Sequence, residues 1–370
     1  IVYPYSDALL KKNNIPHTDW LAKNRMNWAH PAPNAPDVWE RCKSREVFVP
    51  EVEKRGLYLE VGGHTFNTWV PRDRYATAHP DYFAVLENGS RAMDGTHKAG
   101  LCLSNPEVAD VVAGNMASWL AENPEADAVD LWHNDSLTYC RCTNCTPRGF
   151  SGADASIAYT RTYMRFVNTV VERVARRHPK VLINFLAYHQ TVICPPDPPR
   201  LRDNVLVGLC LYPRPSPYQR PMRPLATSPP PCDTKVRPQL AAWPKVARHF
   251  YVYEYYTIGE KHRTWSMVSM IHADLKYFRS LGIQGISSDQ WGPGWYPLNM
   301  YAFASLTWNP ELSPQEIIVD FCKRYYGAAS GPMMAYWNLL EEGLRESWNT
   351  DQPVDWRDAQ RIEVIKKALA

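Results

Sequence analysis

The sequence has almost no excess of charge of either sign and no long run of apolar residues. It carries 41 Lys and Arg against 38 Asp and Glu, a formal net charge of +3, and these residues are scattered along the chain. A nucleic-acid binder needs a basic patch or stripe, so we expect no nucleic-acid partner. A bilayer span needs about 20 consecutive apolar residues, so we expect a soluble chain without a membrane span.

The sequence also lacks the short motifs of several enzyme classes. It contains no G-x-S-x-G elbow, no P-loop, no G-x-G-x-x-G after a strand and no H-E-x-x-H. These motifs carry serine-hydrolase, nucleotide-dependent and zinc-protease chemistry. Such activities are therefore disfavoured, and we expect no cofactor for catalysis.

Short apolar runs alternate along the chain with segments of helical periodicity, an order typical of a parallel sheet with helices packed outside it. The predicted strands are 24–29, 57–61, 128–133, 181–188, 205–212, 250–255 and 282–287. The predicted helices are 106–122, 157–178, 265–281, 300–307 and 313–326. No eighth strand stands out, but seven such units predict an α/β fold, a (β/α)8 TIM-like barrel. We expect one catalytic domain over residues 1–370 that ends in helices from about residue 298.

Proline is concentrated in residues 194–238, which contain CPPDPP, YPRPSPYQRP and TSPPPC. A predicted strand lies inside this segment. We therefore interpret it as two long, proline-stiffened loops at the C-terminal face of the barrel strands and not as a domain linker.

Four carboxylates lie at the C-terminal ends of predicted strands or just after them, where the residues of a barrel enzyme that act on substrate are found. Glycoside hydrolysis needs two carboxyl groups, one to protonate the leaving oxygen and one to stabilise the oxocarbenium-like centre. Glu254 is flanked by tyrosines in YVYEYY, and desolvation would raise its pKa and suit it to be the acid. We predict Glu254, Asp135 and Asp289 as catalytic residues and Glu60 as a binding residue. The alternatives are a buried structural glutamate for Glu254 and turn or cap positions for the two aspartates.

Further polar and aromatic residues beside these carboxylates are candidates for sugar binding. The sequence has 14 Trp and 21 Tyr, and aromatic faces suit the apolar faces of pyranose rings. Each of these side chains could instead be a core or hydrogen-bonded structural residue. With Glu60, the predicted substrate-binding residues are His64, His133, Asn134, Tyr188, Tyr256, Trp291 and Trp295.

Three of the nine cysteines, Cys140, Cys142 and Cys145, form a C-x-C-x-x-C cluster just after the third predicted strand. Three thiolates so close together can hold Zn²⁺ when a fourth ligand comes from elsewhere, and Cys102 is the candidate. A closed thiolate site would be structural, because it leaves no coordination position open for catalysis. One disulfide with a leftover thiol, or free cysteines, are the alternatives.

Four segments stand in the order HPDYFAVLENGSR, GLCLSNPEVADVV, HNDSLTYCRCTNC and LTWNPELSPQEIIVDFCKRYYG. In this order they resemble the bacterial family known as domain of unknown function 4838, assigned to glycoside hydrolase family 163. The resemblance implies a barrel endo-β-N-acetylglucosaminidase that acts on the chitobiose core of N-glycans. It also implies a retaining mechanism in which the acetamido group of the substrate is the nucleophile. Asp135 would then orient the acetamido group, and Glu254 would act as acid and base.

Two other functions stay open. One is another glycosidase, such as a uronidase, that uses two protein carboxylates and binds the sugar carboxylate through Arg25 or Arg214. The other is a catalytically silent carbohydrate-binding barrel. Each has an oligosaccharide or glycan as its partner, and the sequence leaves the oligomeric state open. The first residue is Ile1 rather than methionine, which indicates a processed or trimmed chain, so any signal peptide would lie upstream. We expect a secreted, periplasmic or cell-surface location.

Overall fold

The computed structural model describes residues 18–30, 44–93, 100–211, 223–228, 235–257, 266–290, 297–350, 362, 363 and 366. The chain divides into two compact units, which are described separately. The first comprises Ile1–Tyr212 and Pro238–Tyr253, and the second comprises Pro213–Arg237 and Glu254–Ala370. A single domain over residues 1–370 stays a prediction.

Within the described residues, seven strands form a sheet whose order follows the chain. They are β1 (Trp28–Ala29), β2 (Tyr58–Val61), β3 (Ala128–Asp130), β4 (Leu182–Ala187), β5 (Val205–Cys210), β6 (His249–Thr257) and β7 (Gly285–Gln290). Each neighbouring pair from β1 to β6 is parallel. The predicted parallel sheet is therefore confirmed. An eighth strand is not among the described residues, so the complete (β/α)8 barrel stays a prediction.

The strands form where the sequence has short apolar runs. All six residues of β5, VLVGLC, are buried, as expected for a parallel strand covered on both faces. β4 has the same character in LINFLA, with Asn184 as the one polar side chain. The third strand ends at Asp130 rather than at the predicted residue 133, because Trp132 N bonds to Gly63 O in the loop after β2 instead of continuing the ladder.

The helices of the first unit with both ends in the described residues include α1 (Ser44–Glu53), α2 (Phe66–Trp69), α3 (Arg72–Tyr75), α4 (Pro106–Glu122), α5 (Gly152–Ala175) and α6 (Gln239–Ala242). Residues 18–23 are also helical. α4 has the predicted bounds. The Asn105 side chain accepts a hydrogen bond from Glu107 N, and Pro106 occupies the first helical position, two features that begin helices. None of the described helices combines the length and apolar character needed to cross a bilayer.

The second unit contains α7 (Val268–Ser280), α8 (Pro297–Trp308), α9 (Pro314–Tyr326) and α10 (Ser330–Thr350). The buried Glu341 carboxylate on α10 accepts hydrogen bonds from Val268 N at 2.7 Å and Ser269 N at 3.1 Å. It thereby satisfies free N–H groups at the start of α7, where a negative charge is stabilising. The predicted proline-rich loops, 212–222 and 229–234 in particular, lie largely outside the described residues.

Gly208 on β5 lies directly against the ring of Tyr251 on β6. A Cβ atom at Gly208 would lie 2.5 Å from Tyr251 Cζ and Oη. The absence of a side chain there lets the tyrosine extend across β5, and its hydroxyl accepts a hydrogen bond from Asn184 Nδ2 on β4 at 2.9 Å. A polar contact thus forms between strands that are not neighbours.

Candidate functional site

The C-terminal ends of β2, β3 and β4 bring several predicted site residues together in the first unit. These strands are parallel neighbours, so the segments that follow them lie at the same edge of the sheet. The His64 ring lies 6.4 Å from the His133 ring and 6.2 Å from the Tyr188 ring. His133 and Tyr188 stack with centroids 6.0 Å apart.

Asp135 is held at this edge by Tyr188. The Tyr188 hydroxyl donates a hydrogen bond of 3.1 Å to Asp135 Oδ1, and His189 Nε2 lies 4.0 Å from the same oxygen. The Asp135 side chain is still 62% exposed. The carboxylate is therefore oriented by the protein and open to a ligand.

Asn134, the neighbour of Asp135, carries an unused donor. It is only 5% exposed, and its Nδ2 has no hydrogen-bond acceptor among the described residues. A buried amide without an acceptor is costly and uncommon in folded proteins. This Nδ2 atom is itself shielded from solvent, so the polar group of the pair that a ligand can reach is the Asp135 carboxylate.

His133 connects the loop after β3 to the end of β4. Its Nδ1 lies 2.9 Å from Asn134 O, and its Nε2 lies 3.2 Å from both Tyr188 O and Thr191 Oγ1. Burial, with a smaller contribution from His64, lowers the pKa of His133 to about 4. His133 is therefore neutral at pH 7. It positions the two segments, and direct contact with substrate stays a prediction for it and for His64.

His189 is a site residue that the sequence analysis missed. Its φ of 51° lies in the left-handed region, which is uncommon for a residue other than glycine and is often found at functional sites. Its ring lies 3.7 Å from the Tyr188 ring. Burial lowers the pKa of His189, while Asp135 opposes this shift. No local sequence signal marks a non-glycine residue for this conformation.

A buried polar network lies among the same strands, and Glu60 is at its centre. Glu60 accepts hydrogen bonds from Trp28 Nε1 and Asn184 Nδ2 and is only 5% exposed. Both of its oxygens are thus used within the protein. Its predicted role in substrate binding gains no support from these surroundings.

Asp130 and His30 complete this network. His30 Nε2 lies 2.9 Å from Asp130 Oδ2, and one ligand atom from each of His30, Glu60 and Asp130 lies within 4.8 Å of the others. Burial, with the nearby charge of Glu60, raises the pKa of Asp130 well above its usual value, and burial lowers the pKa of His30. The arrangement favours a protonated Asp130 and a neutral His30. A polar residue inside an apolar strand, as in AVD, is the signal that could have identified Asp130.

In the second unit, Glu254 is fully buried on β6, as expected for a desolvated carboxyl group, and its Oε2 accepts a hydrogen bond from Tyr255 N at 3.1 Å. Tyr256 is also fully buried. Its hydroxyl donates to Asp274 Oδ2 at 2.9 Å, and its carbonyl accepts from Asn299 Nδ2. These are the surroundings of a core residue, so the predicted sugar-binding role of Tyr256 has no support in them.

The remaining predicted residues have different outcomes. Asp289 lies on β7, but its side chain, Trp291, Trp295 and Arg214 lie outside the described residues. Arg25 is exposed in the turn that precedes β1. It is therefore at the N-terminal end of its strand, away from the edge that carries Asp135, and this position lends no support to the prediction that it binds a sugar carboxylate.

The four cysteines of the predicted cluster lie together. Their sulfur atoms are all within 4.8 Å of one another, and Cys102 Sγ is 3.7 Å from Cys142 Sγ. A disulfide bond is about 2.05 Å long, and all four are free thiols. Three of them lie in the loop that carries Asp135, and the first of these, Cys140, follows Asp135 by five residues.

A sequence family described as a domain of unknown function (DUF4838) matches residues 7–338. No match was found among curated proteins. A solved structure of a family GH115 4-O-methyl-α-glucuronidase with specificity for decorated arabinogalactans is 11% identical, with a TM-score of 0.50, and the match covers 91% of this chain and 39% of that one. A β-galactosidase from the psychrophilic Marinomonas ef1 is 10% identical, with a TM-score of 0.52, over 90% of this chain and 61% of that one. This chain thus shares the fold of these two enzymes and spans less than two thirds of the length of either.

Proposed function

The chain belongs to the DUF4838 family, and we propose that it is a glycoside hydrolase. More specifically, we propose a retaining β-N-acetylglucosaminidase of endo type that acts on N-glycans or related glycans containing N-acetylglucosamine. The fold is shared with a glucuronidase and a β-galactosidase, which supports the general class. A glycan substrate also fits a secreted, periplasmic or cell-surface protein.

The observation that carries the specific proposal is the exposed Asp135 carboxylate held by the Tyr188 hydroxyl. In substrate-assisted hydrolysis, the acetamido carbonyl oxygen bonds to the anomeric carbon as the bond to the leaving oxygen breaks. The acetamido N–H then needs a carboxylate acceptor, because positive charge develops on that group. Asp135 is an oriented, accessible carboxylate that can accept this hydrogen bond.

The leaving oxygen must receive a proton, and a water molecule must later lose one as it attacks the cyclic intermediate. Glu254 stays our predicted acid and base for these two steps. The retained configuration follows from two successive displacements at the same carbon. No further group has to be supplied, because the nucleophile belongs to the substrate.

The test is a substrate panel with mass-spectrometric detection. Aryl β-glycosides of N-acetylglucosamine, chitobiose, glucuronic acid and galactose are assayed beside a glycoprotein that carries N-glycans. We expect glycan release that leaves one N-acetylglucosamine on the asparagine, a first-formed product of β configuration by NMR, and inhibition by a thiazoline that mimics the cyclic intermediate. Turnover of glucuronides alone would indicate a uronidase, and glycan binding without turnover would indicate a carbohydrate-binding barrel.

Asp135→Asn and Asp203→Asn are a matched pair of variants for this panel. Asp203 is similarly exposed, at 60%, but it precedes β5 and pairs with Arg248, so it lies at the opposite end of the strands. We expect Asp135→Asn to lose turnover of acetamido sugars and Asp203→Asn to retain it. Equal activity in the two variants would remove Asp135 from the mechanism.

A further inference from the structure

The four clustered thiols have the geometry of a metal site. Zinc bound by four thiolates is tetrahedral with Zn–S distances of about 2.3 Å, which places neighbouring sulfurs about 3.8 Å apart. Cys102 Sγ and Cys142 Sγ are 3.7 Å apart, and all four sulfurs lie within 4.8 Å of one another. We propose that Cys102, Cys140, Cys142 and Cys145 form a tetrathiolate zinc site that fastens the loop carrying Asp135.

Hydrogen-bond donors around the sulfurs are a second, independent observation. Val85 N donates to Cys140 Sγ at 3.3 Å. The Ser104 hydroxyl lies 3.5 Å from the sulfur of Cys102, 3.5 Å from that of Cys142 and 3.2 Å from that of Cys145. Outer donors of this kind orient metal ligands and stabilise their negative charge. In the free-thiol structure Cys145 Sγ donates to Ser104 Oγ. Once the thiolates have formed, the single Ser104 hydroxyl proton can be donated to one sulfur at a time, so Ser104 is a positioning residue shared by three of the four ligands.

The local backbone arranges these ligands. Cys145 N and Thr146 N both donate to Cys142 O, at 3.1 and 2.8 Å, so a tight turn brings the sulfurs of the C-x-x-C pair together. Cys102 N donates to Tyr82 O and Arg141 N to Val85 O, each at 2.8 Å. Three separate segments of the chain thus meet at the cluster.

The four sulfur ligands indicate which metal ions the site can bind. Four sulfur ligands without oxygen disfavour Mg²⁺ and Ca²⁺ and suit zinc or iron. Three of the four cysteines are buried, and a full set of thiolates leaves no position for water or substrate. The site is therefore structural. Its role is to order residues 131–151, which contain no regular strand or helix.

The first experiment measures metal in the whole chain, purified under reducing conditions without chelators. We expect one zinc per chain by elemental mass spectrometry. The zinc should stay bound to the protein when the sample is passed over a chelating resin. Reconstitution with Co²⁺ should give the intense thiolate-to-cobalt charge-transfer and visible bands of a tetrahedral sulfur site. Wild-type protein that binds neither ion under reducing conditions, that carries iron instead, or that shows a disulfide among these cysteines would overturn the proposal.

Variants then assign the ligands. Cys142→Ser should lose the bound metal, while Cys194→Ser, a half-buried free cysteine outside the cluster, should keep it. Ser104→Ala retains all four thiols and should weaken zinc affinity by about 10- to 100-fold, measured by competition with a chromogenic chelator. This variant and the cobalt spectrum keep the test decisive if Cys142→Ser does not fold. Unchanged zinc affinity in both Cys142→Ser and Ser104→Ala would contradict the assignment.

Discussion

Tyr188 Oη donates a hydrogen bond of 3.1 Å to Asp135 Oδ1. The tyrosine is 8% exposed and its ring stacks on His133, so its position is fixed by packing. The Asp135 side chain, by contrast, is mostly open to solvent. The packed residue after β4 therefore orients an accessible carboxylate in the loop after β3.

Tyr188→Phe keeps the stacked ring and removes this hydrogen bond. A hydrogen bond to a charged group contributes about 1.5–3 kcal/mol, and the exposure of Asp135 reduces this value. We expect kcat/KM on the acetamido substrate to fall about tenfold, with little change in Tm. Tyr58→Phe, at a half-exposed tyrosine on β2, is the control and should leave kcat/KM unchanged. Equal kinetics in the two variants would show that the hydroxyl does not position Asp135.

Glu254→Gln keeps the shape of the side chain and removes its titrating proton. Turnover of substrates with poor leaving groups should fall by about 10² to 10⁴, while activated aryl glycosides should suffer much less in the first step, because they need little protonation to leave. Asp135→Asn should depress both kinds of substrate alike. The measurement is pre-steady-state and steady-state kinetics on both kinds.

A matched control for Glu254 is Glu341→Gln, a buried glutamate of the same unit that caps α7. It should lower Tm without any dependence of the rate on the leaving group. If Glu254→Gln kept near-normal turnover on a natural glycan, Glu254 would be structural and Asp289 would become the candidate acid.

His133 should make stability depend on pH. Its pKa is about 4 in the folded protein, against 6.5 for an exposed histidine, so the unfolded chain binds this proton first as the pH falls. The contribution is fully present above about pH 6.5 and is lost as the pH falls towards 4, by about 3 kcal/mol in all. The measurement is the free energy of unfolding in urea between pH 4 and pH 8. In His133→Gln this free energy should depend less steeply on pH, by an amount that corresponds to about one proton bound on unfolding. Parallel slopes for variant and wild type would contradict this.

Asp130 should make stability depend on pH in the opposite direction to His133. Its pKa is raised in the folded protein, so folding retains a proton that the unfolded chain has released. This contribution is fully present below the unfolded pKa of about 3.9 and is lost as the pH rises through the folded pKa. Asp130→Asn mimics the protonated acid. At pH 8 the Tm of the variant should therefore equal or exceed that of the wild type, and at pH 4 it should not exceed it. A lower Tm at pH 8 would show that Asp130 is ionised in the fold. Asp127→Asn, which alters the acceptor of Leu59 N, is the control and should give no gain.

The general fold could be predicted because the apolar runs and helical periodicity of the sequence match the burial of those segments in the folded chain. The buried run VLVGLC became β5, and the cap and periodicity of residues 105–122 became α4. α1 was missed, because Pro50 inside it usually ends a helix. The predicted third strand was three residues too long. The hydrogen-bonded strand ends at Asp130, because Trp132 N donates a hydrogen bond to Gly63 O in another loop.

The site was only partly predictable, because its contacts join residues far apart in sequence. Asn134 and Asp135 could be identified from their place after a strand, but Tyr188, the partner of Asp135, is 53 residues away. The pairing of Glu60 with Asn184 spans 124 residues. Such distances are fixed by strand order and register, and no local pattern encodes them.

The contact between Gly208 and Tyr251 restricts the order in which these two positions can change over evolution. A Cβ at Gly208 would lie 2.5 Å from the tyrosine ring, so an alanine there requires the ring to be displaced or residue 251 to be smaller. A smaller residue 251, in turn, gives up the hydroxyl that accepts from Asn184. Each substitution alone, at position 208 or at position 251, is expected to lower stability. The second substitution then lowers it less in the presence of the first. We therefore expect related sequences to hold either the glycine with the tyrosine or neither, with few intermediates between them.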